Sequence, residues 1–259
     1  MAIITLTSDL GYNSHYPAIL KGAIYSLCSE VVLIDVTHNL PPYDLLQAAY
    51  VVKRVYQAYP KGTIHLVAVD PAQNEYPMVA MEHHGHLFVA PDNGVLSLIT
   101  EGTTRQGNVI NTDTFLMKSF PKSFRAARIA APAVAFLASG GSISELGADL
   151  TLKDLRWGDP TYNGSCLKGK IIHIDNFGNA VTNIRRKDFL DLKRERRFEI
   201  VIRNIRLQRI VSTYADVGKA DPLAIFGQGD HLEIAMREAP VSDLLGLKIN
   251  DMISIDFEE

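Results

Sequence analysis

Runs of apolar, β-rich sequence alternate with helical patterns along the first seventy residues of the chain. The strand patterns cover 2–8, 31–36 and 63–69, and apolar residues recur at helical spacing over 14–28 and from Pro41 to about Tyr59. This order of strand, helix, strand, helix, strand predicts a parallel sheet whose strands are joined by crossover helices.

The composition changes after about Lys153, and short β-patterned runs separated by turns dominate the remaining sequence. These runs are 169–174, 198–202, 223–226, 232–235 and 252–257. Many short strands of this kind indicate a small barrel or sandwich. We therefore predict an α/β domain with a mainly parallel sheet at 1–155, a linker at 156–164 rich in turn-forming residues, and a small all-β, barrel-like domain at 165–259.

Charge and hydropathy narrow the classes of partner. The 259 residues carry a net charge of −3 and include 47% hydrophobic residues, and no basic stripe stands out. Because nucleic-acid binding needs clustered Lys and Arg, we expect no nucleic-acid partner. No apolar run is long enough to span a bilayer, and the chain opens with a strand rather than a leader, so we expect a cytoplasmic protein without a membrane partner.

Four acidic or histidine residues stand where apolar runs of the first half end: Asp9, His38, Asp70 and Asp92. The carboxyl ends of parallel strands meet at one edge of an open sheet, which is where ligands bind. Asp9 suits a sugar diol or a helix cap. Asp70 suits a general base or a turn, and His38 suits an acid–base group or a structural hydrogen bond.

The block 174–184, IDNFGNAVTNI, gathers amides and one acid around a single aromatic residue. The Phe177 ring could stack on a planar heterocycle while the amides bind the edge of that heterocycle. The alternative is a β-bulge in which Gly178 takes a positive φ.

Three histidines, His83, His84 and His86, surround the turn of a predicted hairpin with strands at 78–82 and 86–90. Side chains of a strand alternate between its two faces. We therefore expect these histidines to be exposed, to point apart and to bind no metal. The motifs of phosphate-binding loops, serine-hydrolase elbows and zinc proteases are also missing from the sequence.

Six blocks, in order along almost the whole chain, resemble the S-adenosyl-L-methionine hydroxide adenosyltransferases. These adenosine-forming hydrolases are related to the chlorinating and fluorinating adenosyl enzymes. The blocks are 8–25, 33–52, 62–71, 86–97, 174–184 and 231–247. The resemblance implies a homotrimer whose sites lie between the amino domain of one subunit and the carboxyl domain of a neighbour.

The resemblance also implies the roles of individual residues. Asp9 would hold the ribose hydroxyls, and Asp70 would belong to a polar triad that handles the attacking water. Asp175, Phe177 and Asn179 would contact the methionine and adenosine parts of the ligand. S-adenosyl-L-methionine would be the substrate, with no cofactor and no metal.

The sequence departs from the family pattern at the water-handling positions. Pro77 stands where the family has an Arg, Arg125 where it has a His, and Ser14 where it has a second acid. The turn near the end reads Gln228-Gly229-Asp230 instead of SSG. We hypothesise that Arg125 supplies the missing positive charge by pairing with Asp70, which would then be the sole base, because Arg does not lose its proton at ordinary pH.

Three functional hypotheses follow. The first is hydrolysis of S-adenosyl-L-methionine to adenosine and L-methionine by attack of water on the 5′ carbon. The second is a catalytically weak or inactive relative that binds an adenosyl ligand. The third is a metal-dependent hydrolase that uses the four strand-end residues as ligands.

Overall fold

The structure, a computed structural model, describes residues 1–69 and 76–258, and these form two compact units, Met1–Trp157 and Gly158–Glu259. Asp70, one of the predicted catalytic residues, lies outside the described residues. The boundary between the units falls within 156–164. Trp157 donates its indole N–H to the Leu98 carbonyl at 2.9 Å, and Thr161–Tyr162 pairs with a strand of the second unit. The role of 156–164 as a linker stays a prediction.

The first unit is a seven-stranded sheet with helices. Its elements are β1 (Ala2–Ser8), α1 (Tyr16–Tyr25), β2 (Val31–Thr37), α2 (Leu45–Val55), β3 (Ile64–Ala68), β4 (Met78–His83), β5 (His86–Pro91), α3 (Val95–Thr100), β6 (Gln106–Val109), α4 (Ala131–Ala138) and β7 (Asp149–Thr151). A π-helical segment, Ala126–Ala130, runs directly into α4. The strand order is β2-β1-β3-β5-β4-β6-β7.

The sheet is mixed, so the expectation of a mainly parallel sheet is not confirmed. Strand β1 pairs in parallel with β2 and β3, and β3 pairs in parallel with β5. Strand β4 pairs antiparallel with β5 and β6, and β6 with β7. The antiparallel pairing of β4 with β5 follows from the tight turn at His84 and Gly85, where φ is positive at both residues. Such a two-residue turn joins antiparallel strands only.

Apolar side chains fill both faces of this sheet. Leu66 packs in a core with α1 and α4, whereas its neighbour Val67 packs in a core with α2 and α3. Successive side chains of a strand point to opposite faces. The helices therefore cover both sides of the sheet and leave its strand ends as the polar edges.

The expectation of exposure was wrong for two of the three histidines, and the expectation that they point apart was wrong for His83 and His84, whose ring centroids lie 3.9 Å apart in a stack. His83 and His86 are directly paired across the hairpin and are only 7% and 4% exposed. Directly opposite residues of antiparallel strands share a face, which the alternation argument overlooked. His86 lies 3.2 Å from His65, and His65 in turn lies 2.7 Å from the Thr5 hydroxyl. His84 is exposed, as expected.

The second unit is an antiparallel sheet whose two end strands lie beside each other, which gives it a nearly closed, barrel-like form. Its elements are β8 (Thr161–Tyr162), β9 (Cys166–Ile174), β10 (Ala180–Arg185), α5 (Arg186–Lys193), β11 (Phe198–Ile202), β12 (Ile205–Leu207), β13 (Pro222–Phe226), β14 (His231–Met236), α6 (Val241–Leu245) and β15 (Met252–Phe257). The strand order is β12-β11-β15-β9-β10-β14-β13, with β8 paired to β9. Its interior is one apolar cluster that includes Phe189, Ile234 and Ile255.

Among the described residues, no helix combines the length and the apolar character that crossing a membrane requires.

The buried histidines predict how the stability of the protein depends on pH. Burial, with a smaller contribution from His86, lowers the pKa of His65 from 6.5 to about 3. The unfolded chain binds the proton more readily, so the free energy of unfolding falls as the pH drops from 6.5 towards 3. His65 alone accounts for a loss of about 2 kcal/mol between pH 7.5 and pH 5.

Chemical denaturation of the wild-type protein and of His65→Gln at these two pH values measures this effect. The variant cannot titrate at position 65, so its loss of stability should be smaller by about 2 kcal/mol. Equal losses in the two proteins would contradict the assignment.

Candidate functional site

Two loops of the first unit, which follow the neighbouring parallel strands β1 and β2, are tied together by hydrogen bonds. The Ser8 hydroxyl lies 2.7 Å from Nδ1 of His38, and the Gly11 amide donates to the His38 carbonyl at 2.7 Å. The Tyr43 amide donates to Oδ2 of Asp9 at 2.8 Å. Gly11 has a φ of +80°, a conformation that favours glycine. The two loops therefore form one polar platform at the carboxyl edge of the sheet.

Asp9 belongs to this platform and is not a helix cap. Helix α1 begins after His15 and receives no side-chain cap. Asp9 is half-buried, and one of its oxygens accepts from the neighbouring loop. The other oxygen, Oδ1, has no hydrogen bond from a residue that the structure describes. A carboxyl group with one oxygen left over suits a ligand that donates a hydrogen bond, such as a hydroxyl pair.

A cavity of about 300 Å³ opens at this edge of the first unit. Its lining residues are Asp9, Leu10, Tyr16, Pro42, Tyr43, Ala68, Met78, Pro91, Ser123, Phe124, Arg125 and Ala126. Two of the residues singled out from the sequence, Asp9 and Arg125, thus face the same cavity. The aromatic rings of Tyr16, Tyr43 and Phe124 make its walls largely apolar, as in small-molecule sites generally.

Arg125 directly precedes the π-helical segment Ala126–Ala130 and is only 7% exposed. Its Nη2 donates to the Tyr76 carbonyl. Single π-helical turns occur often at functional sites because they reposition the adjacent side chains. The pairing of Arg125 with Asp70 stays a prediction, since Asp70 lies outside the described residues.

His38 is buried in a chain of polar contacts. Its Nε2 lies 3.1 Å from Oδ1 of Asp35, and Oδ2 of Asp35 lies 2.5 Å from the ammonium group of Lys21. Burial raises the pKa of Asp35, but hydrogen bonds from Lys21 and His38 outweigh it and leave that pKa below its ordinary value. Both ring nitrogens of His38 thus have close partners, which leaves neither free for a metal.

Asp92 does not line the cavity and serves the structure of its loop. Its Oδ1 accepts from the Lys153 amide at 2.9 Å, and its own amide donates to the Pro77 carbonyl at 2.9 Å. Burial raises the pKa of Asp92, more than the Lys153 amide lowers it. Within 1–69 and 76–258, no three His, Cys, Asp or Glu side chains lie close enough together to hold a metal.

In the second unit, the turn between β9 and β10 is built by Asp175. Its Oδ1 accepts from the amides of Phe177 and Asn179, at 2.9 and 2.8 Å, and its Oδ2 accepts from Nδ2 of Asn179 at 2.9 Å. Gly178 has a φ of +79°. The turn therefore presents Phe177, which is 75% exposed, and holds Asn179, which is 6% exposed.

This turn forms one wall of a second cavity, of about 800 Å³, within the second unit. Its lining residues are Asp175, Asn176, Phe177, Asn179, Tyr214, Ala215, Met236, Arg237, Glu238, Ala239 and Pro240. Burial, the Glu233 carboxylate and Asp175 raise the pKa of Tyr214 to about 12. The Tyr214 hydroxyl keeps its proton and donates to Glu233 at 3.3 Å.

Two cavity residues, Tyr43 and Tyr214, were missed from the sequence. Tyr43 follows Pro41-Pro42 in a turn where its φ is +66°, and no local pattern predicts that conformation for a tyrosine. Tyr214 stands in a short 3₁₀ helix, Tyr214–Asp216, closed by reciprocal Thr213 and Asp216 contacts. The spacing of Thr213 and Asp216 is a capping signature, and it could have located this turn.

The family models of two domains match this chain. The SAM hydroxide adenosyltransferase N-terminal domain matches residues 4–147, and the SAM hydroxide adenosyltransferase C-terminal domain matches residues 169–254. The chain belongs to the SAM hydroxide adenosyltransferase family.

Individual relatives agree with this membership. A fluorinase from an Actinoplanes species is 26% identical, with 98% of this chain and 97% of the relative covered. An (R)-S-adenosyl-L-methionine hydrolase from Thermus thermophilus is 26% identical, with 96% of this chain and 97% of the relative covered. The crystal structure of a conserved protein from Thermotoga maritima superposes with a TM-score of 0.89 at 27% identity, covering 98% of this chain and 99% of the other.

The Asp175 turn predicts that Gly178 tolerates no side chain. A Cβ there would lie 2.7 Å from Cβ of Pro240 and 2.9 Å from the Ser242 hydroxyl oxygen, in addition to the strained φ. We expect Gly178→Ala to lower the free energy of unfolding by about 2–4 kcal/mol.

Gly164→Ala is the matched control, because Gly164 has a φ of +102° and open space around its Cβ direction. Gly164→Ala should lower the free energy of unfolding by about 1–2 kcal/mol, because only the positive φ is unfavourable for alanine there. Urea unfolding measures both variants, and equal losses would show that contact with Pro240 does not restrict the turn.

Proposed function

We propose that this protein hydrolyses S-adenosyl-L-methionine to adenosine and L-methionine, with water attacking the 5′ carbon. The observation that carries the proposal is the cavity at the carboxyl edge of the sheet, in which the half-buried Asp9 carboxylate and the buried Arg125 guanidinium lie together. Family membership and a relative named as a hydrolase of the same molecule support it.

The chemistry asks little of the protein besides binding and positioning. The sulfur of the substrate is a sulfonium, so methionine leaves as a neutral thioether without a general acid or a metal. The bond from the 5′ carbon to oxygen forms as the bond to sulfur breaks, and the attacking water loses a proton. A site of this kind gains its rate by aligning water behind the carbon and by accepting that proton.

We assign the roles as follows. Asp9 holds the ribose hydroxyls with the carboxylate oxygen that the neighbouring loop leaves open. Asp70 orients the water and accepts its proton. Arg125, which is always cationic, stabilises the negative charge that develops on the attacking oxygen. Asp175, Phe177 and Asn179 bind the methionine and adenosine parts, with Asp175 acting chiefly by shaping the turn.

A second candidate is a relative that binds an adenosyl ligand with little or no turnover. It is favoured by Pro77 and Arg125, which replace an Arg and a His of the family pattern. The cavity walls and Asp9 would serve such a protein equally well. We propose further that the protein is a homotrimer with sites shared between subunits, and that it works in the cytoplasm without a cofactor. Sedimentation equilibrium tests the trimer.

Oxygen isotopes test attack at the 5′ carbon. We expect pure protein in water labelled with ¹⁸O to release adenosine that carries one ¹⁸O at its 5′ hydroxyl, because that bond is formed from solvent. Mass spectrometry of the product measures the label. Activity that persists in a chelator separates this reaction from metal-dependent hydrolysis, whereas ligand binding without adenosine release would support the second candidate.

Removing the positive charge of Arg125 should lower the rate of the proposed reaction. We expect Arg125→Met to lower kcat about a hundredfold with a smaller change in KM, because the guanidinium acts on charge that develops at the transition state. Arg128→Met is the matched control, since Arg128 also donates to a backbone carbonyl, that of Phe120, but does not line the cavity. Equal kcat values for the two variants would contradict the role of Arg125.

A further inference from the structure

We propose that Ser8, His38 and Asp35 are positioning residues that hold Asp9 in its ligand-binding place. The inference rests on the proposed function, in which Asp9 holds the ribose hydroxyls. None of the three residues lines the cavity. They act through the backbone of the loop that carries Asp9 and through the loop beside it.

One arrangement of protons gives each of these groups a partner. The Leu10 amide donates to the Ser8 hydroxyl oxygen at 3.3 Å, and the Ser8 O–H, 2.7 Å from Nδ1 of His38, donates to that nitrogen when His38 has its proton on Nε2. In that arrangement the N–H of His38 is on Nε2, which lies 3.1 Å from Oδ1 of Asp35, and Lys21 binds the other oxygen of Asp35. These two buried atoms have no hydrogen bond of normal geometry to any described residue, so their contact is electrostatic and each is the nearest polar partner of the other.

The contacts among Ser8, His38 and Asp35 hold the two loops together beside Asp9. Ser8 immediately precedes Asp9, and the Ser8 hydroxyl oxygen accepts a hydrogen bond from the amide of Leu10, the residue after Asp9. On the other side, the His38 carbonyl accepts from Gly11, and the loop that follows His38 delivers the Tyr43 amide to the Asp9 carboxylate. Removing the Ser8–His38 bond frees the two loops to shift, and the open oxygen of Asp9 loses its fixed direction.

Burial makes the arrangement specific. Ser8 and His38 are each 1% exposed, so water cannot replace a lost partner. A buried polar group left without a partner costs more than a normal hydrogen bond contributes. We therefore expect that removing one of these contacts changes the position of Asp9 and weakens ligand binding, in addition to lowering the stability of the protein.

The chain contains a matched control on the other side of the same strand. Thr5 of β1 lies 2.7 Å from Nδ1 of His65, the same distance as between Ser8 and His38, and His65 is also 1% exposed. The Thr5–His65 pair lies away from the loops that carry Asp9. His65→Gln thus reports what the loss of a buried β1–histidine contact does when no ligand-binding loop depends on it.

The test compares adenosine with 2′,3′-dideoxyadenosine, which lacks the hydroxyl pair, by calorimetric titration of the full-length protein. We expect the wild-type protein to bind adenosine at least tenfold more tightly. Ser8→Ala should reduce this preference about three- to tenfold by weakening adenosine binding alone, and Asp9→Asn should abolish it. His65→Gln should keep it.

A second variant guards against misfolding. His38→Asn keeps an amide acceptor near the position of Nδ1, and we expect it to recover part of the preference that His38→Ala loses. A folded Ser8→Ala or His38→Ala protein with the wild-type preference would overturn the inference, as would an equal loss in His65→Gln. A wild-type protein that turns over S-adenosyl-L-methionine without any preference for the hydroxyl pair would overturn the ribose role of Asp9, and the inference with it. A wild-type protein that prefers adenosine without turnover would overturn only the hydrolysis.

Discussion

The hydrogen bonds that join the loop after β1 to the loop after β2 are the constraint on which the first cavity depends. Parallel strands end at a common edge, but their loops would diverge unless something held them together. Here the Ser8–His38 bond and the donation from Tyr43 to Asp9 hold them. These bonds engage one oxygen of Asp9 and leave the other open for the proposed ligand. The position of a single carboxylate thus depends on Ser8 and His38, which do not line the cavity, and on the backbone of Tyr43, which does.

In the second unit, the side chains of the Asp175 turn are positioned by hydrogen bonds within a single turn rather than between two loops. Both carboxylate oxygens of Asp175 accept hydrogen bonds within the turn that this residue begins. Asp175 therefore stabilises the shape of the site, and its oxygens are less available to a ligand. The same turn leaves the Phe177 ring 75% exposed. A single exposed aromatic ring is common on protein surfaces, but this ring also lines the second cavity, where it could stack on a planar group. A planar ligand or a neighbouring subunit would cover the ring, in keeping with the proposed adenosyl ligand and trimer.

The sequence located most strands because their patterns were local. The runs at 2–8, 198–202 and 252–257 coincide with β1, β11 and β15. It missed β10 because Thr182 and Asn183 look like polar ligand-binding residues, yet they are 0% and 7% exposed. Asn183 accepts from the Lys170 amide and donates to the Gly158 carbonyl, at 2.8 and 2.6 Å. A buried amide satisfied by distant backbone cannot be told from a ligand-binding amide without the fold.

The two histidines that flank β1 explain why the strand-end polar groups could be located from sequence but not assigned. His38 and His65 have the same burial and the same kind of hydroxyl partner. His38 continues into Asp35 and Lys21, whose charges reach solvent, whereas His65 continues into His86, which is buried and whose pKa burial lowers. For His65, burial without a counter-charge lowers the pKa to about 3 and makes it a neutral structural group. For His38, the charged partners make the ring a link between solvent and the loops at the cavity. The two histidines differ in the groups that contact the far side of each ring, Asp35 for His38 and His86 for His65. These groups come together only in the three-dimensional structure.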